Sequence, residues 1–156
     1  MPHVEVVEQN GDRSRIMNVT EAVGPSWGMQ DDVILVKVLL EIVLINMRRT
    51  QSGALSSTKS GTLDDKTKKN IRLFQQKFND MAKGLYNPER LTVDGRVSRA
   101  RGQVSWDKNR PWTIAKLNET ASLCVRMHGY KSLADAVVKF YPHLAQILKL
   151  DPSDVG

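Results

Sequence analysis

Arginines and aromatic residues are concentrated where this chain is richest in turn formers. Arg96, Arg99, Arg101 and Arg110 lie with Trp106 and Trp112 in and around a stretch bounded by Gly95 and Pro111, while Trp27 and Tyr86 stand in two other Gly/Pro-bearing segments. A guanidinium pairs bidentately with a carboxylate, and an indole or phenol offers a flat apolar face with a polar edge. These residue types suit a ligand that alternates carboxylates with flat faces such as sugar rings. The candidate binding residues are therefore Arg96, Arg99, Trp106, Arg110, Trp112 and Tyr86, with residues 97–111 as one wall of a groove. Each has a plainer alternative. Loop cations are commonly only solvated, and a loop tryptophan is expected to fold back over the core. Trp106, among Gln103, Ser105, Asp107 and Lys108, has the most polar neighbourhood and is the candidate for an exposed contact.

Catalytic and metal-binding patterns are not evident. Cys124 and His128 are spaced i, i+4, which places thiol and imidazole on one helix face. Two ligands do not make a zinc site, and His3 and His143 have no matching spacing. A buried cysteine and a histidine at a helix C-terminus are the expected reading. H-E-x-x-H, a phosphate loop and paired hydrolase-type carboxylates are not found, and Gly24-Pro25-Ser26-Trp27-Gly28, which spells G-x-S-x-G, reads as a turn-rich connector. The expectation is a non-catalytic protein without metal or cofactor.

At 156 residues the chain has room for one ordinary domain, or a small module with an arm. With 40% hydrophobic and 26% charged residues it belongs to the globular class rather than the disordered one. One cysteine cannot close an intramolecular disulfide, so packing must hold the fold and the redox compartment stays open. Residues 48–116 hold 16 Lys/Arg against 6 Asp/Glu, whereas the rest of the chain is net acidic. Such a basic middle attracts nucleic acid, an anionic surface or an acidic polymer.

The elements that must position these groups follow from patterning. Val4 and Val6 alternate with Glu5 and Glu8 before Asn10-Gly11, and Ile16, Met17 and Val19 follow it, which predicts a β-hairpin with a two-residue turn over 3–19. Residues 33–45 are apolar apart from Lys37 and Glu41 and too short to span a membrane, so a buried central helix is expected over 32–47. A polar loop over 48–60 leads to Thr62-x-x-Asp65, a capping-box pattern. Ile71, Phe74, Phe78 and Met81 then form the inner face of a second helix, and Lys66, Lys68, Lys69, Arg72 and Lys77 the outer one. A helix-turn-helix reader needs a turn of three or four residues before its recognition helix, and the 48–60 loop is too long, so nucleic acid is not the expected partner. Residues 85–111 read as a long loop, followed by a third helix over 112–128 opened by Pro111 and ended by Gly129. Ser132 caps a fourth helix, which Pro142 breaks before Leu144, Ile147 and Leu148. The predicted architecture is mainly α with an N-terminal β-hairpin and additional C-terminal helices. The first nine residues carry Glu5 and Glu8 and lack an apolar run, which predicts no secretory leader there and leaves either a cytoplasmic location or delivery to the wall by a non-classical route.

Ser60-Gly61-Thr62-Leu63-Asp64-Asp65-Lys66-Thr67-Lys68-Lys69-Asn70-Ile71-Arg72-Leu73-Phe74-Gln75 resembles the repeat of the peptidoglycan-binding-like domain, D-G-x-F-G-x-x-T-x-x-A-V-x-x-F-Q, with Gly61, Leu63, Thr67, Ile71, Phe74 and Gln75 in step. Asp31-Asp32-Val33 with Val36, Leu39 and Leu40 resembles that family's first helix, Val93-Asp94-Gly95-Arg96-Val97 its second D-G element, and Thr113 to Leu117 its closing T-x-x-x-L helix. Ser60, Asp64 and Asn70 depart from the pattern, as do the about fifteen residues between Val97 and Thr113. The resemblance implies a three-helix core over 23–118, flanked by a hairpin arm (1–22) and a helical extension (119–156). It also implies a non-catalytic bacterial cell-wall-binding module whose partner is peptidoglycan or its fragments. The alternative is a protein-interaction adaptor, possibly secretion-associated, using Val4 and Val6 of the hairpin with Leu144, Ile147 and Leu148 of the extension. The plainer reading of Asp94 is a turn aspartate that bonds its own backbone.

Overall fold

A computed structural model describes residues 1–9, 12–47, 60–84, 89–102, 105–107 and 110–151, with only the backbone of residues 9, 12, 45–47 and 105–107. Strands β1 (His3–Gln9) and β2 (Asp12–Asn18) pair antiparallel with His3 opposite Asn18 and Gln9 opposite Asp12. This is the register that a two-residue connection imposes. Asn10 and Gly11 themselves lie outside the described residues.

Helix α1 (Gln30–Met47) starts two residues before the expected point and carries Asp31 and Asp32 in its first turn. Val33, Leu35, Val36, Leu39, Leu40 and Val43 are all buried, so α1 is covered on most sides, by α2 (Asp65–Met81), α3 (Thr113–Met127) and α5 (Pro142–Leu148). Its two interrupting charges each find a partner on a neighbouring element. Lys37 donates to Ser60 Oγ at 3.0 Å and lies 3.5 Å from Asp64 Oδ2. Glu41 accepts from the hydroxyl of the buried Tyr141 at 2.7 Å. Burial, and then the Glu41 carboxylate, push that phenol far above its ordinary range. Among the described residues no helix is long and apolar enough to cross a membrane.

The start of α2 departs from expectation. Thr62 does not cap it; Asp64 does, its Oδ1 accepting from Thr67 N at 2.8 Å and Thr67 Oγ1 at 2.6 Å. One carboxylate oxygen facing a free helical N–H and a hydroxyl is a stronger cap than a threonine hydroxyl placed two residues too early. The Thr67 hydrogen bonds outweigh a small burial penalty and, with Lys37, hold the Asp64 carboxyl below its ordinary value. Asp64→Ala is expected to lower stability by about 1 kcal/mol at neutral pH. Because the folded-state value is depressed, that contribution is complete above the ordinary value of 3.8 and disappears as the pH falls through the lowered folded value. Urea unfolding of both proteins at neutral and acid pH checks it, and a gap that persists unchanged in acid contradicts it.

On α2, Ile71 and Phe74 are buried and Phe78 partly so, but Met81 is 71% exposed; Ala82, just past the helix, takes the last buried position. Lys66, Lys69, Arg72 and Lys77 form the exposed face. The segment expected to be one long loop is built up: residues 97–102 run beside the hairpin, and β3 (Ser105–Asp107) pairs antiparallel with β4 (Arg110–Pro111). Pro111 therefore closes a strand instead of opening a helix, and Trp112 is the N-cap residue of α3. Ser132 caps α4 (Leu133–Phe140) by accepting from Asp135 N at 3.0 Å, and Pro142 begins α5, where its missing N–H is not needed.

A single cluster of buried apolar residues runs from Val7 and Ile16 of the hairpin through α1 to Leu148 of α5. Leu144 and Leu148 belong to that core, and Val4 and Ile147 pack against it. Of the five apolar residues assigned to a partner surface, only Val6, at 45%, is exposed.

Candidate functional site

Gln75 of α2 is fully buried and organises the region where the distant motif segments meet. Its Nε2 lies 3.1 Å from each of Asp94 Oδ1, Arg96 O and Thr113 Oγ1, and its Oε1 accepts from Gly95 N at 3.0 Å. Asp94 Oδ1 also accepts from Arg96 N at 2.9 Å, so Asp94 is a turn aspartate. Val23 and Val97 exchange backbone hydrogen bonds at 2.9 Å, which joins the 94–97 turn to the connector before α1. A Cβ on Gly24 would collide with the carbonyl oxygen of Gly95, and one on Gly61 would stand 2.7 Å from Gln30 Cβ. Glycine at both places is required by close approach of backbones. The residues that carry the motif are thus spent on holding chain segments together.

The turn built on this junction presents an indole. Gly24 N donates to Trp27 O at 2.6 Å, closing residues 24–27, and the Trp27 side chain is 59% exposed. Beside it is a cleft of about 410 Å³ lined by Met1, Pro2, Trp27, Met29 and Asp31 among others. Asp32, which also lines the cleft, is fully buried and spends its two oxygens on Thr20 N (2.9 Å) and Glu21 N (3.0 Å), locking the start of α1 to the end of the hairpin. Asp31 is left as the half-buried carboxylate of the cleft. The expectation that Trp27 folds over the core is overturned. Its turn is closed by backbone bonds and glycine contacts, so the fold needs no apolar side chain there.

The residues singled out in sequence do not gather into one site. Arg96 is exposed on the 94–97 turn. Arg99 is half-buried against the hairpin with Nη2 3.7 Å from Glu5 Oε1. Burial opposes ionisation of Glu5, but hydrogen bonds from Asn18 and His3 and the charge of Arg99 prevail and keep its carboxyl below the ordinary value. Arg110 is exposed on β4, and Trp112 is half-buried against the core at the start of α3. The backbone of Trp106 lies in β3, while its side chain and all of Tyr86 lie outside the described residues. Residues 97–102 are held by the hairpin: Asn18 exchanges two hydrogen bonds with the Ala100 peptide (2.8 and 3.1 Å), and Glu8 N donates to Gly102 O at 3.0 Å.

Sequence reasoning weighs Trp27 with the other loop aromatics but leaves it off the list of candidate binding residues, and it gives Asp31 no ligand role. The available signal was the Gly24, Pro25 and Gly28 around Trp27, which mark a rigid turn, whereas polar neighbours drew attention to Trp106. Cys124 is buried and His128 exposed, and no group of three metal-ligating side chains occurs among the described residues. Comparison of the chain with protein-family models, with curated proteins and with solved structures finds no match.

Proposed function

We propose that this chain is a non-catalytic cell-wall-binding module that takes peptidoglycan at the Trp27 cleft. The observation that carries the reading is the exposed indole on a closed turn beside the cleft. A tryptophan left 59% in water on rigid backbone forgoes the burial that normally accounts for its presence, and a sugar face restores it. Asp31 supplies a carboxylate for the hydroxyls or amines of such a ligand. The resemblance of residues 60–75 and 93–97 to the wall-binding family supports the same reading, since those segments meet at Gln75, next to the turn that carries Trp27.

Trp27→Ala is expected to weaken retention on purified sacculi about tenfold, corresponding to about 1.4 kcal/mol of lost stacking. Its thermal unfolding should match that of the parent, because the side chain supports little of the core. Undiminished retention, or failure of the parent protein to bind sacculi at low salt, argues against the proposal. A second reading, a protein-binding adaptor, has one observation in its favour: Leu123 (59%) and Met127 (71%) are exposed one turn apart on α3.

A further inference from the structure

We infer that Arg72 and Arg96, brought together over the Gly95 turn, form a clamp for the carboxylates of the wall's peptide stems, an inference that rests on the wall-binding reading above. The two arginines come from different elements, α2 and the 94–97 turn. The Arg72 stem crosses the turn with Cγ 3.3 Å and Cδ 3.6 Å from where a Cβ on residue 95 would stand, and Arg96 is the next residue along. Gly95, at φ +72°, thus serves two ends: it adopts the left-handed conformation and leaves room for the arginine stem.

The buried Lys116 and the half-buried Lys37 and Arg99 are satisfied within the fold: Lys37 by Ser60 and Asp64, Arg99 by Glu5, Lys116 by Glu89 and Glu119. Arg72 and Arg96 are exposed, and among the described residues neither guanidinium has an ion pair or hydrogen bond. The acid of the turn, Asp94, has its Oδ1 engaged by Gln75 and by Arg96 N. The backbone that carries Arg96 is already locked by Gln75 and by the Val23–Val97 bridge, so binding has only the two arginine side chains to order. Across the turn, Pro25 Cβ lies 3.8 Å from the same Cβ position, and Pro25 belongs to the turn that presents Trp27. The turn that carries Trp27 and the turn that carries Arg96 are therefore in contact.

The test uses the full chain and sacculi freed of phosphate polymers, either native or with their carboxyl groups amidated. The double variant Arg72→Gln, Arg96→Gln keeps the side-chain stems and is expected to bind native sacculi about tenfold more weakly than the parent, with unchanged thermal unfolding. On amidated sacculi parent and variant should bind alike. Equal binding of the two proteins to native sacculi, or an equal effect of amidation on both, overturns the clamp while leaving wall binding intact. Failure of the parent to bind native sacculi overturns the wall-binding reading and the clamp together. Tighter binding to a single-stranded oligonucleotide than to sacculi, lost in the double variant, reassigns the arginines to a phosphate backbone and overturns the carboxylate assignment.

Discussion

Replacing Gln75 by leucine should destabilise the protein by about 3 kcal/mol, as the midpoint of urea unfolding with an unchanged slope would show. The substitution roughly conserves volume, so the loss reports hydrogen bonding more than a cavity. Without the amide, the buried Gly95 N–H has no acceptor, and Arg96 O, Thr113 Oγ1 and Asp94 Oδ1 lose the Nε2 donor they share. Each unsatisfied buried group costs about 1–3 kcal/mol, and the network members depend on one another. A loss below about 1 kcal/mol would mean that water replaces the amide and that Gln75 does not organise the junction.

Asn118→Ala should cost about 2–3 kcal/mol and release the hairpin selectively. Asn118 Oδ1 accepts from Met17 N at 2.8 Å, and its Nδ2 donates to Met17 O and Ile114 O, each at 2.9 Å. Met17 is fully buried, so its peptide has no solvent to turn to once the amide is gone. A two-stranded hairpin is marginal by itself. Hydrogen exchange should therefore accelerate first at Met17 and along β2, with α1 amides such as Leu39 still protected to the level of global unfolding. Uniform acceleration across hairpin and α1 would show that the two do not separate and that the clamp acts only on global stability.

These two residues belong to a recurring device. Asn18 binds the Ala100 peptide, Asn79 the Leu91 peptide at 2.8 and 2.9 Å, Asn118 the Met17 peptide, and Gln75 the 94–96 turn. A primary amide carries the same donor and acceptor as a peptide group, so it completes a passing backbone where no strand is available to pair with it. In sequence these asparagines are unremarkable helix or strand residues, and Gln75 stands out only as a position of the matched repeat. Apart from Ile114, one turn before Asn118, the backbone partners named are 12 to 101 positions away, beyond anything local spacing reveals.

Local physics determined much of this protein from sequence. Alternation around Asn10-Gly11 specified the hairpin, apolar spacing over 33–44 specified a central helix, and Ser132, Gly129 and Pro142 marked helix ends, because propensity and capping act over a few residues. Tertiary structure alone decided which side chains were left exposed and unpaired. Arg99 looked equivalent to Arg96, yet the hairpin brings Glu5 to one and leaves the other in water. Trp112 looked equivalent to Trp27, yet one packs against the core and the other stands beside a cleft. Exposure and pairing depend on which distant segments arrive at a position, and only the assembled core sets that.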